Sequence, residues 1–127
     1  MSFRLMVVDD SPAMRDFIVR VIRLSGLDVG LCMQAANGQE ALDLLRANWI
    51  DIILTDINMP VMNGEEFVCC MKADETLQSI PVLVVSTDGS DHRIQRMMSL
   101  GAKGYVKKPF APEQLRKSME ELLGVTQ

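Results

Sequence analysis

Short, unbroken apolar runs alternate along the chain with longer stretches in which apolar residues recur every three or four positions. Residues 5–8 (LMVV) form the first run. Its brevity and lack of polar alternation predict a strand buried on both faces. Ser11 and Pro12 follow as an N-cap and a first-turn proline. Met14, Phe17, Ile18, Val21 and Ile22 then keep helical spacing until Gly26 stops it. Residues 29–33 predict a second strand. Asn37 and Glu40 have capping-box spacing and lead into a helix through Ala41, Leu42, Leu44 and Leu45. Residues 52–54 predict the third strand, and the loop INMPVMNG after Asp56 is made of turn formers. A helix is expected over residues 65–72, a strand over 81–85, a turn with a possible cap at Asp88-Gly89-Ser90, and a helix over 91–100 ended by Gly101. A short strand over 104–106 and an amphipathic helix over 112–123 complete the series. Five β/α units of this kind predict an α/β fold: a doubly wound (βα)5 sandwich around a parallel sheet covered on both faces.

Composition narrows the class. The chain has 127 residues, 48% hydrophobic and 24% charged, which fits one domain spanning 1–127 with an ordinary core. A net charge of −4 argues against a nucleic-acid surface, which needs a basic stripe, and is compatible with basic protein partners. The cysteines are Cys32, Cys69 and Cys70. Their odd count and the adjacency of two of them predict free thiols in a reducing compartment. No signal-peptide pattern opens the chain and no apolar run approaches the ~18 residues of a membrane span, so a cytoplasmic location is expected. Met1 and the short tail after Leu123 suggest a natural stand-alone protein, with an excised piece of a longer regulator as the alternative.

The polar residues fall at one end of the predicted strands. In open α/β sheets, ligands bind beyond the carboxyl ends of the strands. Asp9 and Asp10 follow the first strand, Asp56 the third, Ser86 and Thr87 the fourth, and Lys107 and Lys108 the fifth. If the first and third strands are neighbours at a reversal of strand order, three carboxylates converge in one crevice. Clustered anions in a partly dry site are unfavourable without a cation, and an all-oxygen donor set suits a hard ion such as Mg2+. A competing reading has Asp9 or Asp10 serve only the positive end of the first helix. It leaves Asp56 and the lysines unexplained. A carboxylate beside Mg2+ is a nucleophile toward phosphorus, a lysine binds phosphoryl oxygens, and a hydroxyl can donate to another. Phosphoryl transfer needs little more than this positioning and charge. His92, the sole histidine, reads as a surface residue.

With VVDD at 7–10, LTDINMPVMNG at 54–64, PVLVVST at 81–87 and GAKGYVKKPF at 101–110, each at a strand end and in this order, the sequence resembles a response-regulator receiver domain of two-component signalling. The resemblance covers residues 4–123. It implies a flavodoxin-like sheet in the order 2-1-3-4-5. It implies that Asp56 is the phosphoacceptor, that Asp9 and Asp10 hold Mg2+ together with Asp56 and the backbone carbonyl of Asn58, and that Lys108 rather than Lys107 is the site lysine. It further implies that Ser86 is the switch hydroxyl, that Tyr105 changes orientation with phosphorylation, and that the Lys108–Pro109 bond is cis. A histidine kinase or phosphotransfer protein would donate the phosphoryl group, and the protein would be a signalling phosphoacceptor rather than an enzyme. With no second domain, the chain is similar to the single-domain, CheY-like chemotaxis regulators, whose output is a protein-binding face on the fourth helix, fifth strand and fifth helix. Ile94 and Tyr105 match that face. Ile57 departs from the aromatic often found there, and Ser118 from a common lysine.

Other features have plainer readings. The ten methionines are expected mostly in the core, Cys69 or Cys70 is expected to pack inward, and Trp49 is placed at the end of the second helix. Arg93 and Arg96 fit either an output face or a solvated helix face. Asn58 and Asp88 border the site at positions whose counterparts in the family tune dephosphorylation. A haloacid-dehalogenase-like phosphatase also uses aspartate, Mg2+ and lysine. Its nucleophile sits in a DxD pattern after the first strand, where this chain has Asp9-Asp10-Ser11. A flavodoxin-like electron carrier would need a hydroxyl-rich phosphate loop at the same place.

Overall fold

Each apolar run becomes a strand. A computed structural model describes residues 2–125. The elements are β1 (Phe3–Val8), α1 (Pro12–Leu24), β2 (Val29–Ala35), α2 (Gly38–Leu45), β3 (Ile52–Thr55), α3 (Gly64–Lys72), β4 (Val82–Ser86), α4 (Asp91–Leu100), β5 (Gly104–Lys107) and α5 (Pro112–Leu123). The strands form one parallel sheet in the order β2-β1-β3-β4-β5, so the order reverses between β1 and β3 as expected. Several strands run past the apolar run that predicts them, because backbone pairing sets their ends. Val8 pairs with Ala35, and Ser86 with Lys107.

Successive strand residues face opposite sides of the sheet, and each side has its own core. Leu5, Val7, Ile52, Leu54, Leu83 and Val85 pack against Ile18, Val21 and Ile22 of α1 and Leu115 and Met119 of α5. Met6, Val8, Ile53, Val82 and Val84 pack against Leu42 and Leu45 of α2, Phe67, Val68 and Met71 of α3 and Met97 of α4. Two cores explain why the strands read as unbroken apolar runs. The methionines are mostly filler: Met6, Met71, Met97 and Met119 are buried, and Met14, Met33, Met59 and Met62 lie against the two cores.

Two expectations fail locally. Cys69 and Cys70 are both exposed. Phe67, Val68 and Met71 already fill the inward stripe of α3, and positions 69 and 70 fall on its outer side. Trp49 lies in the connection after α2 rather than at the helix end, and its ring is exposed. The helix starts are closer to expectation. Ser11 Oγ accepts from Met14 N at 3.2 Å, and Asn37 Oδ1 accepts from Glu40 N at 2.9 Å. The Glu40 carboxylate, however, takes the Ala36 N–H, so the reciprocal half of that capping box is missing. A complete box occurs at α3 instead, where Asn63 and Glu66 cap each other's N–H groups at 2.9 and 3.0 Å.

The β3–α3 loop is held close to the sheet end. Val61 sits at the centre of a one-residue turn, with φ 68° and Met62 N donating to Pro60 O at 2.7 Å. That backbone region is costly for a β-branched residue. Gly64 N then donates to Ile57 O at 2.7 Å. A Cβ at Gly64 would collide with the carbonyl oxygen of Asp56 and lie 2.9 Å from Ile57 Cα. Both obstacles are backbone, which cannot swing aside. Gly64→Ala is therefore expected to destabilise the fold by about 1–3 kcal/mol, the usual cost of overpacking, read as a lower urea midpoint by far-UV circular dichroism. An unchanged midpoint would mean that the loop around Asp56 is not held this tightly.

Candidate functional site

The carboxyl ends of β1 and β3 lie side by side because Val8 pairs with Thr55. The residue after each is an aspartate. Asp56 N donates to Val8 O at 2.9 Å and Asp9 N to Ala35 O at 3.1 Å, so the sheet ladder continues through both acids and fixes their backbones. Asp9, Asp10 and Asp56 each offer a carboxylate oxygen within 4.8 Å of the others, the one such group among the described residues. Asp9 is buried, Asp56 half-buried and Asp10 exposed.

Lys108 closes this cluster from β5's side. Its Nζ donates to Asp9 Oδ2 at 2.6 Å and to Asp56 Oδ2 at 3.1 Å, and its side chain is 8% exposed. Lys107, by contrast, is exposed. Burial alone would lower the Lys108 pKa, but the Asp9 hydrogen bond and the charges of Asp56 and Asp9 outweigh it and hold the ammonium above its ordinary range. The Lys108–Pro109 bond is cis. The remaining oxygens are used as well. Asp56 Oδ1 accepts from Ile57 N at 2.7 Å, and Asp9 Oδ1 from Ser11 N at 2.9 Å. The competing helix-start reading of the acidic pair thus describes part of what Asp9 does, in addition to its contact with Lys108.

Ser86 ends β4 and is fully buried. Its Oγ accepts from Asp88 N at 3.2 Å. The Tyr105 hydroxyl donates to the carbonyl of Asp88, with the Ser86 carbonyl at 3.3 Å beside it. Burial raises the Tyr105 pKa, and the charges of Asp88 and Asp56 raise it further. Asn58 is exposed, and its side-chain oxygen accepts from Arg93 Nη2 at 3.3 Å. Ile94 is half-buried on α4, away from the carboxylate cluster's contacts. His92 is exposed. Arg93 does not lie as a freely solvated side chain, since it turns to Asn58, Asp88 and Glu65. Helical spacing carries no signal for such a reach. The Ile57 N–H on Asp56 is equally silent in sequence, being backbone.

The donor set suits a hard divalent cation. All its members are carboxylate oxygens, and the exposure of Asp10 leaves room for the waters that Mg2+ keeps. An α/β sheet with acids at the β1 and β3 ends, a hydroxyl at β4 and a lysine at β5 is the arrangement of a signalling phosphoacceptor. The chain belongs to the response regulator receiver domain family, whose model matches residues 5–120. Among curated relatives, the Chemotaxis protein CheY homolog of Campylobacter jejuni is 37% identical over 122 residues, covering 95% of this chain and 92% of that protein. Chemotaxis protein CheY1 of Helicobacter pylori is also 37% identical, over 95% of this chain and 97% of its own length. The structure of the chemotaxis response regulator CheY4 of Vibrio cholerae superposes with a TM-score of 0.86 at 32% identity, over 97% of this chain and all of that one. No described helix is long and apolar enough to cross a membrane.

Tyr105 is the only tyrosine in the chain, so it can be titrated alone. Its tyrosinate absorbance should appear with a midpoint above the ordinary value of about 10. Asp56→Asn should lower that midpoint, because one of the charges opposing the phenolate is removed. A midpoint at or below 10 would contradict the buried, anion-facing placement.

Proposed function

We propose that this chain is a phosphorylation-activated response regulator, with residues 1–127 as a single receiver domain and Asp56 as the phosphoacceptor. The observation that carries this reading is the Lys108 ammonium seated between Asp9 and Asp56, with Asp10 completing the acidic cluster. The donor is a histidine kinase or a phosphotransfer protein. A carboxylate oxygen of Asp56 attacks phosphorus, the phosphorus–nitrogen bond of phosphohistidine breaks with its electron pair returning to the imidazole, and an aspartyl phosphate forms. Lys108, already ionised and oriented, pairs with the phosphoryl oxygens without reorganising. Mg2+ held by Asp9, Asp10, Asp56 and the Asn58 backbone carbonyl supplies, when bound, the positive charge that the transferring group needs. The chain acts on its own aspartate: it catalyses its own phosphorylation and the later hydrolysis, and turns over no separate substrate.

The hydrogen bonds around Asp88 suggest how the signal leaves the site. Ser86 Oγ now holds the Asp88 N–H, and the Asp88 carbonyl holds the Tyr105 hydroxyl. Turning Ser86 toward a phosphoryl oxygen gives up the first bond and frees the backbone that anchors the second. Tyr105 then changes its orientation, and the face formed by α4, β5 and α5, including Ile94, changes with it. This is a shift between two pre-existing populations, biased by the charge added at Asp56. The partner on that face is a downstream protein; the acidic net charge does not suit nucleic acid. The chemotaxis names of the relatives favour chemotaxis-type two-component signalling.

With acetyl phosphate and Mg2+, the wild-type chain should gain one phosphoryl group by intact mass and Asp56→Asn should gain none. Stoichiometric labelling of the variant would move the acceptor elsewhere. In urea titrations, each tenfold of Mg2+ above its Kd should add about 1.4 kcal/mol to wild-type stability. Asp10→Asn should need markedly more Mg2+ for the same gain; equal gains would remove Asp10 from the metal's ligands.

A further inference from the structure

One arginine spans the mouth of the site. Arg93 Nη2 donates to Asn58 Oδ1 at 3.3 Å, while its Nε lies 3.7 Å from Asp88 Oδ2 and 3.6 Å from Glu65 Oε1. Asn58 stands two residues beyond Asp56, and Asp88 two beyond Ser86. Since β3 and β4 are neighbours, a guanidinium that touches both following loops bridges the gap between them. Glu65, in the first turn of α3, holds it from a third side. The planar fork of arginine suits such a bridge, which a lysine could not span. The hold is also loose. Arg93 Nε is buried and makes no hydrogen bond, and its carboxylate contacts are longer than hydrogen bonds. A latch of this kind can be opened without large loss.

We infer that Arg93 is a positioning residue for hydrolysis of the aspartyl phosphate, fixing the Asn58 and Asp88 side chains at the rim and so prolonging the phosphorylated state. This rests on Asp56 being the phosphoacceptor. In hydrolysis, water attacks phosphorus in line with the departing Asp56 oxygen. The phosphorus–oxygen bond breaks, its electron pair returns to the carboxylate, and inorganic phosphate leaves with the water's oxygen. The incoming water approaches from the side away from Asp56, past the rim. Arg93 engages Asn58 Oδ1 and Asp88 Oδ2 and so competes with that water for them; once it is released, both oxygens can accept the water's hydrogens, while Asp88 Oδ1 stays with Ser90. Because Arg93 belongs to α4, phosphoryl lifetime is tied to the position of that helix. A protein that grips α4 and draws Arg93 off the rim shortens the signal.

The test follows decay of the phosphorylated full chain by quenched-flow and intact mass after acetyl phosphate is removed. Arg93→Ala should decay at least about threefold faster than wild type, the equivalent of about 0.65 kcal/mol, with its rate of labelling and its urea midpoint unchanged. In an Asn58→Ala/Asp88→Ala background, the same substitution should add no acceleration, because the latch has nothing to hold. A smaller rise, a slower decay, or an equal acceleration in that background would overturn the role of Arg93. Failure of the wild-type chain to label at all would instead overturn the Asp56 reading, and this one with it.

Discussion

Three carboxylates and one ammonium share a space that water only partly reaches, and the surroundings are arranged to keep them there. At an effective dielectric near 20, two unit charges about 4 Å apart interact by about 4 kcal/mol. Lys108 can offset only part of the repulsion among Asp9, Asp10 and Asp56. The remainder leaves the site sensitive to a divalent cation or to a change of charge at Asp56. Proton uptake does not serve as that input through the lysine. Its pKa is raised in the fold, so its pairing is fully present below the ordinary lysine value of about 10.4 and is lost only as pH rises through the higher folded value. Across neutral pH the cation is constant, which on the proposed reading leaves the phosphoryl group and the metal as the variable inputs.

That charge cluster needs a frame that does not yield, and the buried parallel sheet supplies it. Both faces of the central strands β1, β3 and β4 are covered, so in them polar side chains are admitted only towards the strand ends. The Val8–Thr55 register then brings acids from residues 9 and 56 together, although the chain between them forms two helices and two strands. Gly64 completes the frame from the other direction. Its lack of a Cβ lets the start of α3 lie directly on the Asp56–Ile57 backbone, whose N–H holds Asp56 Oδ1. A two-sided core and one glycine thus place the Asp56 carboxylate.

How much of this is legible in the sequence depends on what kind of contact is involved. Asp9, Asp56, Ser86 and Lys108 are legible because apolar runs announce where strands stop, and strand ends converge by topology alone. The choice of Lys108 over Lys107 follows only from motif resemblance, since neither spacing nor composition says which of two adjacent residues faces inward. The outward cysteines depart from expectation because Phe67, Val68 and Met71 together exhaust the inward stripe of α3, a competition visible only once all its residues are placed. Asn63 and Glu66 had capping-box spacing in plain view, masked by a loop rich in turn formers. Arg93 was beyond reach, as a long side chain can lie along its helix or fold back over a neighbour with the same local pattern.

Asp88 shows why the response of such a site is expected to be switched rather than graded. Its N–H is held by Ser86, its carbonyl by Tyr105, and its carboxylate by Ser90 and Arg93. Ser86 belongs to β4, Tyr105 to β5, Ser90 caps α4, and Arg93 lies in the first turn of that helix. One residue therefore joins the end of β4 beside the carboxylate cluster to β5 and α4. Moving the Ser86 hydroxyl changes the partner of the Asp88 N–H, and the backbone cannot shift there without disturbing the other contacts. On the proposed reading, packed elements linked through one node exchange partners together, and a change at the Asp56 carboxylate would thereby become a change of surface.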